Sequence, residues 1–396
     1  METHIERIEF LLLLAAVVAM LARRFRFPYT VGLLFAGIGL TLLPISPGIE
    51  LTKELIFSAL LPPLIFEAAI ALKWSELRKV LPVVLLLASV GLILSALVTA
   101  AGMYWLLGWP PISAAIFGVL IAATDPVSVI ATFKEAGVKG KLRILVESES
   151  LFNDGTAAVL FGLVLAFAAG NAPTTLGLTL NALSVIGGGV ACGVIIAFVT
   201  LYLAGKTRDH LVELTLTTVA AYSSFLVAEH FHWSGVLATL CAGLIIGNRG
   251  HLGAITEKGH ESVEAFWEFA AFVANSLIFI LIGVYEAKQS FSALLIPAVV
   301  AILFVLIGRA VAIYPLAALI KNSGQRISMA HQHILVWGGL RGALALALSL
   351  GLPESIPYRA EIVTMAFAVV AFSVVVQGLT MTPLMRKLNL IGNPDS

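Results

Sequence analysis

The sequence predicts an all-α polytopic membrane protein with about 13 transmembrane helices. Three observations carry this reading. Hydrophobic residues make up 59% of the 396 and charged residues only 12%, with a mean hydropathy of +1.00, whereas a soluble domain carries about 25% charged residues. Apolar runs of the length that a bilayer crossing requires recur along the whole chain. Lys and Arg gather in alternate loops, as a fixed membrane orientation demands. The net charge of +1 leaves no basic field for nucleic acid. The two cysteines, Cys192 and Cys241, sit inside apolar runs and read as small buried groups.

The runs fall near 8–22, 29–44, 55–72, 80–107, 112–133, 142–168, 179–204, 210–229, 234–248, 265–284, 291–319, 332–350 and 361–380. The leading residues of the first include Glu2, Glu6 and Glu9 but only one basic residue, Arg7, and Arg23, Arg24 and Arg26 follow it. A secretory signal has the opposite polarity, so this run reads as a retained helix. The second and ninth are short, and the fourth and eleventh are long enough to tilt. Glu67 lies within the third, Thr124-Asp125-Pro126 interrupts the fifth, and the sixth carries the densest polar face. In the seventh, Gly187-Gly188-Gly189 with Gly193 allows close helix packing. Glu213 and Glu268 stand near the inner ends of the eighth and tenth, where a structural pair or solvation is the plain reading. Arg309 lies deep in the eleventh, and Gly338-Gly339-Leu340-Arg341-Gly342 breaks the twelfth.

With the N-terminus outside, eighteen of the 24 basic residues fall in inside loops and four outside; Arg309 and Arg341 fall within spans. The orientation expected is N-out and C-in. The longest polar stretch, Asn248 to Glu264, is too short to hold a soluble domain. Trp105, Trp109 and Trp233 at outer boundaries and Trp74 at an inner one read as interfacial anchors. An odd count with the seventh run as a linker leaves two six-helix halves of opposite orientation. The breaks in runs five and twelve are then equivalent, and paired interruptions point to a binding site near the midplane.

Ionisable groups inside apolar spans are costly and usually functional. Those placed deepest are Glu67, Asp125, Glu149, Asp154, Arg309 and Arg341. On the sixth run Ser150 and Asp154 are four apart and share a helical face, with Glu149 and Asn153 forming the neighbouring stripe. Oxygen ligands of this kind suit a hard monovalent cation or a proton, not a transition metal. The Thr124-Asp125-Pro126 break frees carbonyls near Ala122 and Thr124 at membrane depth, tolerable only where they face protein, water or an ion. Arg341 keeps its charge and must face a carboxylate, for which Glu149 and Asp125 are the candidates. Phosphate-loop, HExxH and GxSxG motifs do not occur. Without a nucleotide site or any enzyme signature, uphill transport has to run on an ion gradient, and no cofactor is expected.

Three segments, Ala123-Thr124-Asp125-Pro126-Val127, Glu149-Ser150-Leu151-Phe152-Asn153-Asp154-Gly155 and Gly338-Gly339-Leu340-Arg341-Gly342, resemble the NhaP-type sodium/proton antiporters. These belong to the monovalent cation:proton antiporters, which include the animal sodium/proton exchangers. The resemblance implies an NhaA-like fold in which two inverted six-helix repeats place two partly unwound helices across each other. It implies a homodimer in a bilayer, the cell membrane of a bacterial or archaeal-type cell, with scaffold parts at 8–72 and 210–284, core parts at 80–168 and 291–380, and a linker helix at 179–204. It further implies that Asp154 binds cation and proton alternately, that Ser150 and the Thr124 carbonyl ligate Na⁺ beside it, and that Asn153 holds the broken helix through Thr124. Asp125 offsets the half-helix dipoles, Glu149 pairs with Arg341, and Glu67 matches a glutamate that lines the site in some members. Electrogenic relatives carry two adjacent aspartates where this chain has Asn153-Asp154, which implies one proton for one cation. Many members also add a long cytosolic regulatory tail, which this sequence does not carry.

The activity expected is electroneutral exchange of Na⁺, with Li⁺ its nearest substitute, for H⁺ by competition at Asp154 and alternating access. A bare carboxylate in a low dielectric costs several kcal/mol or more, so transit of an empty site is suppressed. A K⁺/H⁺ antiporter of the same build is the nearest alternative. A cation channel, or an intramembrane hydrolase using Asp125 and Asp154, fits less well with inverted halves and an Asn-Asp step.

Overall fold

The computed structural model describes residues 2–25, 27–42, 51–125, 129–130, 133, 138, 140–169, 175–250, 253–287, 295–320 and 326–391. Of the residues singled out above, Arg26, Pro126 and Val127 lie outside the described residues. No strand occurs among the described residues. The helices are α1 (Glu2–Phe25), α2 (Tyr29–Leu42), α3 (Leu55–Ala71), α4 (Trp74–Leu107), α5 (Pro111–Ala122), α6 (Lys141–Ala168), α7 (Thr175–Ala204), α8 (His210–His230), α9 (Gly235–Arg249), α10 (Glu257–Ala287), α11 (Leu295–Leu319), α12 (Met329–Trp337), α13 (Ala343–Leu350) and α14 (Arg359–Lys387).

Thirteen apolar runs thus become fourteen helices among the described residues, because the twelfth run is two half-helices, α12 and α13, on either side of Gly338–Gly342. The glycines there neither favour a helix nor supply side chains to hold one together. Seven helices are long and apolar enough to cross a membrane (α4, α6, α7, α8, α10, α11 and α14), and α2, α3, α5 and α9 are shorter apolar helices. The chain is an integral membrane protein. Its outward faces suit hydrocarbon: α7 alone leaves Leu183, Ile195, Phe198 and Tyr202 exposed.

Two compact units divide the chain. The first comprises residues 1–53, 83–153 and 275–396, and the second residues 54–82 and 154–274. The division falls within α6, between Asn153 and Asp154, and within α10, between Ala274 and Asn275.

In the first unit α4 packs against α5 and α11. Thr99 on α4 donates to its own turn at Ser95 O (2.9 Å) and lies 3.4 Å from Phe304 O on α11. Pro82 inside α4 cannot donate to the ladder, and the helix widens to a π-turn at Leu87–Gly91 before resuming. It stops at Gly108, whose φ of +65° is left-handed, with Trp109 N reaching back to Met103 O at 3.3 Å. A left-handed glycine is a common helix stop because it has no Cβ to strain. Trp109 is buried at 4% exposure between Phe117 and Tyr358. It is therefore a core residue and not the interfacial anchor expected, whereas Trp105 is 76% exposed.

In the second unit α3, α7, α8 and α9 enclose an apolar core containing Phe66, Ala197, Ala220, Ala242 and Trp267. The Phe66 and Trp267 rings lie 4.6 Å apart, and the indole donates to Thr217 Oγ1 at 3.2 Å. Of the glycines in α7, Gly189 and Gly193 face the α9 backbone at Ser234 and Ala238 with no room for a side chain. Asp209 caps α8 and Ser234 caps α9 through their side-chain oxygens.

The helix α10 begins eight residues before the predicted run, inside the polar stretch read as a loop. Its start is capped from within and from outside. Thr256 Oγ1 accepts from Gly259 N at 3.0 Å, and Glu213, wholly buried on α8, accepts from Thr256 N and from Thr256 Oγ1 at 2.9 Å. The carboxylate sits where helix amides are unpaired and the dipole is positive.

Candidate ion and proton site

The helix α5 ends at Ala122, after which Ala123 turns extended (φ −57°, ψ 138°). Ending a helix inside an apolar span strands its last carbonyls, and side chains from elsewhere take them up. Asn153 Nδ2 lies 3.4 Å from Ala122 O, and Arg341 Nη1 lies 3.4 Å from Ala123 O. The two breaks also bond each other directly, Asp125 N donating to Leu340 O at 2.8 Å. The Asp125 carboxylate lies against Gly342, where any Cβ would collide with it. Only glycine permits that approach.

Along α6 the i, i+4 stripe is real chemistry. Asn153 Nδ2 donates to Thr124 Oγ1 at 3.0 Å and to Glu149 Oε1 at 3.3 Å, and Thr124 Oγ1 donates to Ser150 Oγ at 3.1 Å. Thr124, Glu149, Ser150 and Asn153 are all buried, the last at 0% exposure. One asparagine amide therefore ties a helix to the broken end of its neighbour.

The partner of Glu149 is not the expected one. Its two oxygens accept from Arg309 Nη1 (2.7 Å) and Nη2 (2.8 Å), a bidentate pair with both side chains buried. Arg341, 1% exposed, goes to the Ala123 carbonyl instead. The planar Arg309 fork also uses its Nε, which donates to Leu335 O near the end of α12 at 3.1 Å. Arg309 thus joins α6 to the second broken helix. Its depth in the eleventh run singled it out, but nothing local could name a partner 160 residues away.

Asp154 follows Asn153 on α6 and is half-buried; Ser150, four residues back, shares its face. Glu67, on α3, is also half-buried, and both carboxylates belong to the second unit. Thr124, Asp125, Glu149, Ser150, Asn153, Arg309 and Arg341 are brought together in the first. Glu147, by contrast, forms an ordinary i, i+4 pair with Arg143 at 2.6 Å near the start of α6. The assembly offers hydroxyl, carbonyl and carboxylate oxygens beside the Glu149–Arg309 pair, which suits a small hard cation or a proton.

Comparison with known proteins shows the family of the chain. The family model described as sodium/hydrogen exchanger, transmembrane, matches residues 11–387. The Na(+)/H(+) antiporter ApNhaP of Aphanothece halophytica is 39% identical over 372 residues, 92% of this chain and 70% of that protein. The Na(+)/H(+) antiporter NhaH of Halobacillus aidingensis is 34% identical over 399 residues, 97% of this chain and 98% of its own. Among solved structures, the sodium proton antiporter MjNhaP1 from Methanocaldococcus jannaschii has the same fold, with a TM-score of 0.78 over 98% of both chains at 19% identity.

Proposed function

Because the chain belongs to the transmembrane sodium/hydrogen exchanger family, we propose that it is a secondary antiporter exchanging Na⁺ for H⁺ at Asp154. It is a transporter and not an enzyme, and its ligands are the transported ions, with no cofactor. One observation carries the detailed reading. Asn153 spends its amide on Thr124, Ala122 O and Glu149, so this step of α6 presents a single carboxylate, Asp154, for loading.

A carboxylate that is bare in a low dielectric is heavily penalised. Asp154 accordingly crosses with Na⁺ or with H⁺, and the two exclude each other. Ser150 and the backbone at Thr124 supply further oxygens to Na⁺, Glu67 lines the approach, and Asp125 balances the half-helix ends. One carboxylate gives one Na⁺ for one H⁺, an electroneutral exchange. In this reading thirteen spans form two inverted repeats whose broken members cross, with the N-terminus outside and the C-terminus in the cytoplasm. Residues 80–168 and 291–380 form the moving core, residues 8–72 and 210–284 the scaffold of a homodimer, and residues 179–204 the linker.

The test is H⁺ flux in reconstituted vesicles driven by Na⁺, Li⁺ or K⁺. Asp154→Asn should abolish exchange while the protein still unfolds at the wild-type temperature. Wild-type flux in that variant would remove the assignment, and a preference for K⁺ would make the chain a K⁺/H⁺ antiporter of the same build.

A further inference from the structure

A half-helix that ends inside a membrane leaves its last carbonyls without amide partners, and each must be satisfied by something. At the end of α12 three of the last four carbonyls have named partners. Ile334 O accepts from Gly338 N at 2.7 Å and Leu335 O from Arg309 Nε at 3.1 Å. Trp337 O, on the last residue, accepts from Gln377 Nε2 at 2.8 Å. Gln377 is 2% exposed and sits in a run of Val and Leu. An amide there is costly unless it is bonded.

Gln377 also closes a π-turn, Ser373–Gln377, within α14. A π-turn holds one extra residue, equal to about 100° of rotation, so it resets which later side chains face a neighbour. Beyond the turn, Thr380 accepts from the Trp337 indole at 2.8 Å. Both the backbone and the ring of Trp337 are therefore held by α14. From Trp337 the chain enters Gly338–Gly342, whose Leu340 carbonyl holds Asp125.

We propose that Gln377 is a positioning residue for exchange, fixing with Arg309 the C-terminal end of α12 and hence the seat of the Gly338–Gly342 break against Ala123–Asp125. It touches neither ion. It acts through the break, and the inference rests on the exchange reading given above.

The experiment measures H⁺ flux in vesicles over a series of Na⁺ concentrations and pH values for wild type, Gln377→Leu and Gln377→Glu, with thermal unfolding of each in detergent. Leucine keeps the volume and removes the donor. Half-saturating Na⁺ should rise about fivefold, the worth of one neutral hydrogen bond, with the maximal rate nearly unchanged. A glutamic acid donates to Trp337 O when protonated and cannot when ionised. Gln377→Glu should follow wild type at low pH and Gln377→Leu at high pH, a crossover that packing alone would not produce. A folded Gln377→Leu with wild-type half-saturation would overturn the inference. So would a Gln377→Glu that matches the leucine variant at every pH; if leucine prevents folding, the glutamate variant decides. An Asp154→Asn protein that still exchanges would remove the underlying reading instead, so the two failures are distinguishable.

Discussion

At Glu149 a single buried carboxylate faces the two forked bonds of Arg309, while Arg341 is the second buried guanidinium of the same unit. Pairing recovers most of what burial costs, and breaking such a pair by removing one partner costs more than the pair contributes. Glu149→Gln should therefore destabilise the protein by about 3–5 kcal/mol, because the buried Arg309 guanidinium then loses its bidentate carboxylate. The double variant Glu149→Gln/Arg309→Met should be markedly milder than the sum of the single changes, as coupled neighbours are. Thermal unfolding in detergent reads both. Strict additivity would mean that the two side chains do not act as a pair. The carboxylate, the two arginines and Asn153 were all legible as deep polar groups, since apolar spans make any charge conspicuous. Their pairing was not. Periodicity reports which residues share a face, and it supported the Glu149–Asn153 contact, but Arg309 and Glu149 belong to helices that only tertiary packing brings together.

Among the elements, helix ends decide more than helix bodies. The breaks after Ala122 and at Gly338–Gly342 were visible because glycine and proline interrupt otherwise continuous apolar runs. The beginning of α10 was not visible. Its first turns carry Glu257, Glu261 and Glu264, which lower the hydropathy to that of a loop, and the carboxylate that helps to fix its start, Glu213, lies 43 residues earlier. The cap is nevertheless ordinary chemistry. Thr256→Ala removes the oxygen that accepts from Gly259 N and should cost about 1 kcal/mol. It should lower the unfolding temperature in detergent without changing half-saturating Na⁺. A shift in Na⁺ affinity at unchanged stability would place this helix start in the transport machinery rather than in the framework.

For the whole molecule, the proposed one-for-one stoichiometry makes a statement about voltage. Moving one net charge across a membrane is worth about 2.3 kcal/mol per 100 mV, so an electrogenic exchanger responds steeply to an imposed potential. Initial flux through this protein should be the same with and without a diffusion potential. Acceleration by an inside-negative potential would require a second titrating group alongside Asp154.

Arg309 and Arg341 donate to the Leu335 and Ala123 carbonyls, so a guanidinium stands at each of the two broken ends where a helical amide is missing. A guanidinium offers donors and no acceptor, so it closes a broken end without adding an oxygen that could hold a cation.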